Sequence, residues 1–283
     1  MSLPLFIIGV PRSGTTLLRI MLDSHPNLAV GPECPWTASS YGNITSFKDL
    51  YHSLVEDKRG PVVNFSGLSE EDIASILGEA FAKILNSYAQ AKGKKRWLEK
   101  TPDHITEVPF LVKLFPNSKY IHIVRDGRDV ACSSYKEKET WGKNLNLSNS
   151  RGKIINTRLN ALKRWCLWIK QFEKWQQEYE LNVCQIRYED LVKEPRMVLE
   201  KVLSFIDEPS WSDDVLSYGK KKHDIPDWEA GFRDVSQTSQ ITEKGVGQWQ
   251  SKFTNTDKLI AASFADSLLI KYEYQKTLNN SLI

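Results

Sequence analysis

The stretch Leu5-Phe-Ile-Ile-Gly-Val-Pro-Arg-Ser-Gly-Thr-Thr-Leu-Leu-Arg19 decides the fold. An apolar run from Leu5 to Val10 ends in a glycine-containing turn, and a helical pattern of apolar residues begins at Thr15. This order predicts a strand, a tight loop and a helix. Such a loop directs several backbone N–H groups and a helix N-terminus to one point, and it therefore binds a phosphate or a sulfate group.

The residue after the second glycine of this loop distinguishes between classes of anion-binding loop. Gly9 and Gly14 have the Gly-x-x-x-x-Gly spacing of a nucleotide-binding P-loop, but Thr15 stands where an NTPase needs lysine. Without that lysine, the loop has no point charge for the β- and γ-phosphates, which disfavours an ordinary ATP or GTP site. Arg12 lies inside the loop instead.

The loop resembles a known family. Pro11-Arg-Ser-Gly-Thr-Thr-Leu17 is similar to the 5′-phosphosulfate loop of the sulfotransferases that use 3′-phosphoadenosine 5′-phosphosulfate (PAPS). The longer stretch from Arg12 to Pro26 is most similar to their tyrosylprotein and carbohydrate branch. The resemblance implies PAPS as donor, adenosine 3′,5′-bisphosphate (PAP) as product and no metal, and it gives Arg12 a part in catalysis. It also implies cofactor contacts from one continuous run: Arg12, Ser13, Gly14, Thr15, Thr16 and Leu17.

A second motif follows the buried-type strand at 119–124, in Arg125-Asp-Gly-Arg-Asp-Val-Ala-Cys-Ser133. Ser133 falls about two turns into the next helix, so a guanidinium and a hydroxyl can converge on one phosphate. The resemblance names Arg125 and Ser133 as ligands of the 3′-phosphate. The structural alternative is a salt bridge from Arg125 to Asp126 or Asp129.

Two strand ends carry candidate catalytic groups. Glu33 follows the short predicted strand 28–30, and an acceptor hydroxyl needs a carboxylate to take its proton. Lys100 leaves the predicted strand 96–99, where an ammonium can neutralise charge on a leaving oxygen. The resemblance assigns these roles to Glu33 and Lys100. His104 is a rival base, although cytosolic members place their histidine closer to the lysine.

Later segments add cofactor candidates by resemblance. Tyr188, in Tyr-Glu-Asp-Leu, corresponds to a tyrosine that reaches the adenine, although packing alone would also explain it. Lys244 and Gly245 correspond to a late Lys-Gly element that closes over the cofactor. Glu243 departs from the arginine that is usual before it.

Composition limits the remaining possibilities. The chain has 283 residues, 41% of them hydrophobic, which suits one large domain, 1–283. We predict an α/β fold with a central parallel sheet flanked by helices in P-loop topology. A net charge of +3 predicts neither a nucleic-acid nor a membrane partner. Four scattered cysteines argue against zinc and disulfides and favour the cytoplasm. No signal peptide or membrane anchor is recognisable, which suggests a soluble bacterial relative or a trimmed chain.

The acceptor remains open at this level. The irregular segment 34–68 and the polar segment 136–152 are predicted to be acceptor-side loops or a lid. A small-molecule, carbohydrate or protein hydroxyl would fit, and the oligomeric state cannot be read from the sequence. The basic run Lys220–His223 could receive an anionic acceptor, but it is better explained as a solvated charge cluster. Two other functions compete: a P-loop kinase and a non-catalytic nucleotide-binding module.

Overall fold

The computed structural model describes residues 3–34, 46–56, 66–134, 158–209, 212–225 and 241–278. Its central sheet contains four parallel strands in the order β4-β1-β5-β6, and a second parallel pair is formed by β2 and β3. The strands are β1 Leu5–Ile8, β2 Leu28–Ala29, β3 Arg96–Trp97, β4 Glu99–Lys100, β5 Lys119–Val124 and β6 Asn182–Arg187. The predicted α/β fold with a parallel central sheet is confirmed.

Helices connect and cover these strands. The helices used below are α1 Thr15–Asp23, α2 Phe47–Glu56, α3 Glu70–Ala91, α4 Val108–Leu114, α5 at 127–134, α6 Arg158–Glu178, α7 Tyr188–Lys193, α8 Pro195–Phe205, α9 Ser212–Leu216, α10 Trp249–Lys252 and α11 Asn255–Lys271. Short 3-10 turns occupy Pro102–Thr106, Tyr218–Lys220 and Glu243–Gly245. Within the described ranges, every helix is too short or too polar to cross a membrane.

The sheet is buried on both faces, because successive strand residues point to opposite sides. In β1, Phe6 and Ile8 enter one apolar cluster, whereas Leu5 and Ile7 enter the other. Each side chain of this kind contributes about 1.5–3 kcal/mol when it is fully buried. Continuous apolar runs such as Leu5–Val10 are the sequence signature of such a strand.

The chain between residues 96 and 100 links the two sheets. Arg96 and Trp97 pair with β2, while Glu99 and Lys100 pair with β1. Leu98 lies between the two pairings, and its N–H donates to the carbonyl of Ala29 at 2.9 Å. Because of this exchange of partners, the end of β4 lies beside β1. Strand β1 in turn leads into the glycine loop.

The segment 34–68 is less irregular than its sequence suggests. Residues 47–56 form α2, with Tyr51 buried and Phe47, Leu54 and Val55 packed against the core. Glycines and prolines on either side of this stretch mask its helical spacing. Residues 35–45 and 57–65 lie outside the described part of the chain, as does all of 136–152.

Candidate active site

The glycine loop lies between β1 and α1 and is shaped by backbone conformation. Gly14 caps α1 with φ 96°, and no side chain caps that helix end. Arg12 also has a positive φ, 77°, which is uncommon for a residue with a side chain. Its Nε donates to Ser133 Oγ at 3.1 Å. The loop and the helix after β5, which are 121 residues apart at these atoms, therefore meet directly.

Arg125 joins three parts of the chain at the end of β5. Its Nη1 donates to the Arg12 carbonyl at 2.9 Å, and its Nη2 donates to the Gly245 carbonyl at 2.6 Å. Its guanidinium carbon lies 4.5 Å from the centre of the Tyr188 ring. The predicted alternative, a salt bridge from Arg125 to Asp126 or Asp129, is not found among the described residues, because both carboxylates have other partners. Asp126 pairs with Arg128 at 2.6 Å.

Tyr188 lies at the start of α7 and closes the other side of this pocket. A Cβ atom at Gly14 would lie 2.3 Å from Tyr188 Cδ2, so only glycine fits there. A Cβ at Gly245 would lie 2.8 Å from Arg125 Nη2 and 3.3 Å from the Tyr188 hydroxyl. Burial raises the pKa of Tyr188, and Arg125 opposes that shift. The two glycines thus let the backbone approach the arginine and the tyrosine closely.

Glu33 and Lys100 form an ion pair beside the loop. Lys100 Nζ lies 2.5 Å from Glu33 Oε1, and the side chains are 0% and 5% exposed. Lys100 pairs in register with Ile7 of β1, the strand that leads into the loop. A carboxylate that can take a proton and an ammonium that can stabilise an anion are therefore adjacent.

His104 occupies a different environment from Glu33. It is fully buried in the turn after β4, and its Nδ1 lies 2.7 Å from Glu99 Oε2. A general base must reach the proton that it removes. The burial of His104 against Glu99 therefore gives an acceptor no access to its Nδ1 atom.

Two acidic residues, Asp129 and Glu189, hold the parts of the site together, although the sequence pattern indicated Asp129 only as a partner of Arg125 and did not single out Glu189. Asp129 accepts the N–H groups of Gly247 at 2.7 Å and of Trp249 at 2.9 Å, and burial raises its pKa. Glu189 accepts the Asp126 N–H at 3.0 Å. These three N–H groups lie between 63 and 120 residues away from the acids that accept them, so local patterns carry no signal for these contacts.

Lys244 differs from the other predicted cofactor residues. Its side chain is exposed, and among the described residues only its backbone N–H and carbonyl form hydrogen bonds, to Thr242 and Gln248. The neighbouring Gly245 supplies the contact to Arg125. The structure therefore brings Gly245 into the cluster and leaves the Lys244 ammonium outside it.

Buried polar atoms test whether these residues fit an anionic nucleotide. Within the described ranges, Ser13 Oγ and Arg125 Nε are buried with no hydrogen-bond partner in the protein. Such groups are costly to bury unless something pairs with them. A phosphate or sulfate beside the loop would supply acceptors to both, so the residues present fit PAPS. No cluster of three or more metal-binding side chains occurs in the part of the chain that the structure describes.

Comparisons with known proteins agree with this geometry. The model of the sulfotransferase family matches residues 4–213. The protein-tyrosine sulfotransferase of Drosophila melanogaster is 29% identical over 215 residues, which are 76% of this chain and 40% of that protein. The sulfotransferase domain from the curacin biosynthetic pathway superimposes with a TM-score of 0.62 at 19% identity, covering 97% of this chain and 99% of the domain. Mouse sulfotransferase SULT7A1 complexed with PAP gives 0.54 at 17% identity, covering 95% and 85%.

The extent of these matches defines what they establish. The chain spans about half the length of the curated relatives that it matches, 40% and 52% for two of them. The region that the family model matches contains the glycine loop, Glu33, Lys100 and Arg125. The structural matches show the same fold. Because the family model matches well over half of the residues, this chain belongs to the sulfotransferase family.

Proposed function

We propose that this chain transfers the sulfuryl group of PAPS to a hydroxyl acceptor, with Glu33 as the general base and Lys100 stabilising the leaving group. The observation that carries the proposal is the 2.5 Å contact between Lys100 Nζ and Glu33 Oε1, formed next to the strand that enters the glycine loop. One group can accept the acceptor's proton while the other compensates negative charge. The cofactor, when bound, supplies an activated sulfuryl group on a phosphate leaving group.

The remaining residues of the site would hold the nucleotide. The loop N–H groups, Arg12 and Ser13, with Thr15 and Thr16 at the helix start, form the proposed phosphosulfate site. Arg125 and Ser133 form the proposed 3′-phosphate site, and the contact between Arg12 and Ser133 supports a shared nucleotide position. Leu17, Tyr188 and the backbone at Gly245 are proposed to contact the rest of the nucleotide. The exposed Lys244 is the weakest member of this set.

The acceptor is proposed as a hydroxyl compound, and a tyrosine-containing peptide is the first probe. Relatives named protein-tyrosine sulfotransferases align with about three quarters of this chain at 28–29% identity. We assign acceptor contacts to the segments 34–68 and 136–152. All four cysteines are free thiols, which supports a proposed location in the reducing cytoplasm.

Calorimetry and a transfer assay test this function together. We expect PAP to bind much more tightly than ADP, and radiolabelled PAPS to label a tyrosine peptide, a carbohydrate or a small phenol. In Glu33→Gln, PAP affinity should persist while transfer falls by about 10²–10⁴-fold. Equal binding of ADP would favour a kinase. Tight PAP binding with no transfer to any member of this panel would favour a binding module.

A further inference from the structure

Three consecutive residues at the end of β4 contact the short segment that carries Glu33. Lys100 pairs with Glu33 itself. The Cys34 N–H lies 2.9 Å from Thr101 Oγ1 and 3.3 Å from Glu99 Oε1, and both oxygens accept from it. The Thr101 hydroxyl in turn donates to Glu99 Oε1 at 2.6 Å. The backbone immediately after Glu33 is therefore held by two side chains that flank its ion-pair partner.

His104 completes this arrangement from the following turn. Its Nδ1 lies 2.7 Å from Glu99 Oε2, whereas the Cys34 N–H contacts the other carboxylate oxygen, Oε1. The side chains of Glu99 and His104 are 1% and 0% exposed. A buried carboxylate is costly unless it is paired and hydrogen-bonded, so each of these partners helps to fix Glu99 in one position.

We propose that Glu99, Thr101 and His104 are positioning residues that fix Glu33 through the Cys34 N–H, an inference that rests on the proposed role of Glu33 as the base. The link is direct, because the Cys34 N–H belongs to the planar peptide group that joins Glu33 to Cys34, so holding this N–H restrains the backbone that carries the carboxylate. Reacting groups must be placed within a fraction of an ångström, and a misplacement of about 1 Å can cost about 10²-fold in rate. We refer to Glu99, Thr101 and His104 as the Cys34 clamp.

The clamp predicts a separation of rate from affinity. Thr101→Val removes the hydroxyl but keeps the size of the side chain, and Thr101→Ser restores the hydroxyl. In transfer from radiolabelled PAPS to a tyrosine-containing peptide, we expect Thr101→Val and Glu99→Gln to lower kcat by about tenfold or more. The KM for PAPS and the affinity for PAP should stay within about twofold of wild type, since neither depends on this contact. Thr101→Ser should recover most of the rate.

A matched control separates positioning from a general loss of stability. Glu208, like Glu99, is a buried carboxylate. It pairs with Arg96 at 2.7 Å, and Arg96 lies at the opposite end of segment 96–100 from Lys100. Glu208→Gln should lower the unfolding temperature without lowering kcat. Glu99→Gln should also lose most of its effect in a Glu33→Gln background, because residues that act through one another are not additive. Additive losses, or a parallel loss of PAP affinity, would overturn the inference.

A measurement independent of activity probes the clamp itself. Burial, reinforced by the charge of Glu99, raises the pKa of the Cys34 thiol to about 12, so this thiol should react slowly with iodoacetamide. Thr101→Val leaves the Glu99 charge in place, and we expect it to speed alkylation of Cys34 several-fold, as followed by mass spectrometry. Glu208→Gln should have no such effect. Faster alkylation supports the clamp whether or not the wild type transfers sulfate. A wild type that transfers nothing would refute only the proposed function. Unchanged alkylation of Cys34 in Thr101→Val overturns the clamp in either case.

Discussion

The two ends of the candidate site handle charge in opposite ways. At one end, Lys100 and Glu33 neutralise each other at 2.5 Å. At the other end, Arg125 donates to two backbone carbonyls and lies against the face of Tyr188. A carboxylate paired with an ammonium suits the exchange of protons and charge, whereas a guanidinium held by neutral groups retains its charge for an anion. On the proposed function, turnover depends on the first end and nucleotide affinity depends on the second.

The largest effect is expected from Lys100→Met. Loss of one group that stabilises transition-state charge typically costs about 10²–10³-fold in rate, so transfer should fall by that amount while calorimetry gives nearly unchanged PAP affinity. The variant also leaves Glu33 buried without its cation, so a lower unfolding temperature is expected. Adding Glu33→Gln should recover stability but not activity. Lys94→Met, which removes the partner of Asp23 at 3.0 Å, is the matched control and should leave transfer intact. A large loss of PAP affinity in Lys100→Met would contradict the division between the two ends.

Arg125→Ala tests the second end. A hydrogen bond to a charged group contributes about 1.5–3 kcal/mol, which corresponds to a PAP Kd raised by about 10–100-fold. ADP lacks the 3′-phosphate, so its weaker binding should change little. Arg125→Lys keeps the charge but loses the two-pronged geometry, and it should fall between the wild type and the alanine variant. Equal losses for PAP and ADP would show that Arg125 only supports the fold.

Gly14→Ala tests the close packing of the glycine loop against the Tyr188 ring. The left-handed backbone costs a residue with a Cβ about 1–2 kcal/mol, and the clash with Tyr188 adds a further cost of about 1–3 kcal/mol. Gly93 is the control, because it has φ 67° but no atom within 4 Å of a Cβ. Gly14→Ala should therefore lower the unfolding temperature more than Gly93→Ala and should also weaken PAP binding. Tyr188→Ala should relieve part of the first loss. Equal effects of the two glycine substitutions would rule out the clash.

The sequence predicts the local parts of this site better than the contacts between them. The glycine loop and the strand that precedes it follow from a continuous pattern, and both occur where expected. The Arg12–Ser133 contact and the hold of Asp129 on Gly247 span more than a hundred residues, and spacing does not encode them. The helix at 47–56 was missed because its neighbours are rich in glycine and proline.

The basic run Lys220–His223 is another region in which the sequence pattern does not predict the contacts. Its charges predict a solvated cluster, yet Lys221 Nζ donates to the Ser24 carbonyl at 2.6 Å and His223 Nδ1 lies 2.8 Å from Asp23 Oδ2. Lys220, Lys221 and Lys222 are exposed, as a solvated charge cluster predicts, whereas the His223 side chain is only 7% exposed and is paired with Asp23. Charge composition alone does not predict these contacts, because the partners of Lys221 and His223 lie 197 and 200 residues earlier, at the end of α1.

The smallest effect on transfer is expected from substitutions at the Asp23 ion pair. Like Glu33, Asp23 is mostly buried and paired with a lysine, but it lies away from the proposed chemistry. Burial acts to raise its pKa, but hydrogen bonds and charge from His223, Lys94 and the Val30 N–H outweigh it, and the net pKa is lowered. A lowered pKa means that the folded state favours the ionised carboxylate, so its contribution is present above the ordinary aspartate pKa of about 4 and is lost as the pH falls through the folded value. Urea unfolding should therefore show wild type more stable than Asp23→Asn near neutral pH, with the difference closing in acid. Lys94→Met should shift this acid limb to higher pH, since it removes a cation that lowers the pKa. In both variants the transfer rate at neutral pH should match wild type, and a loss comparable to that of Lys100→Met would mean that a buried ion pair anywhere in the domain limits turnover.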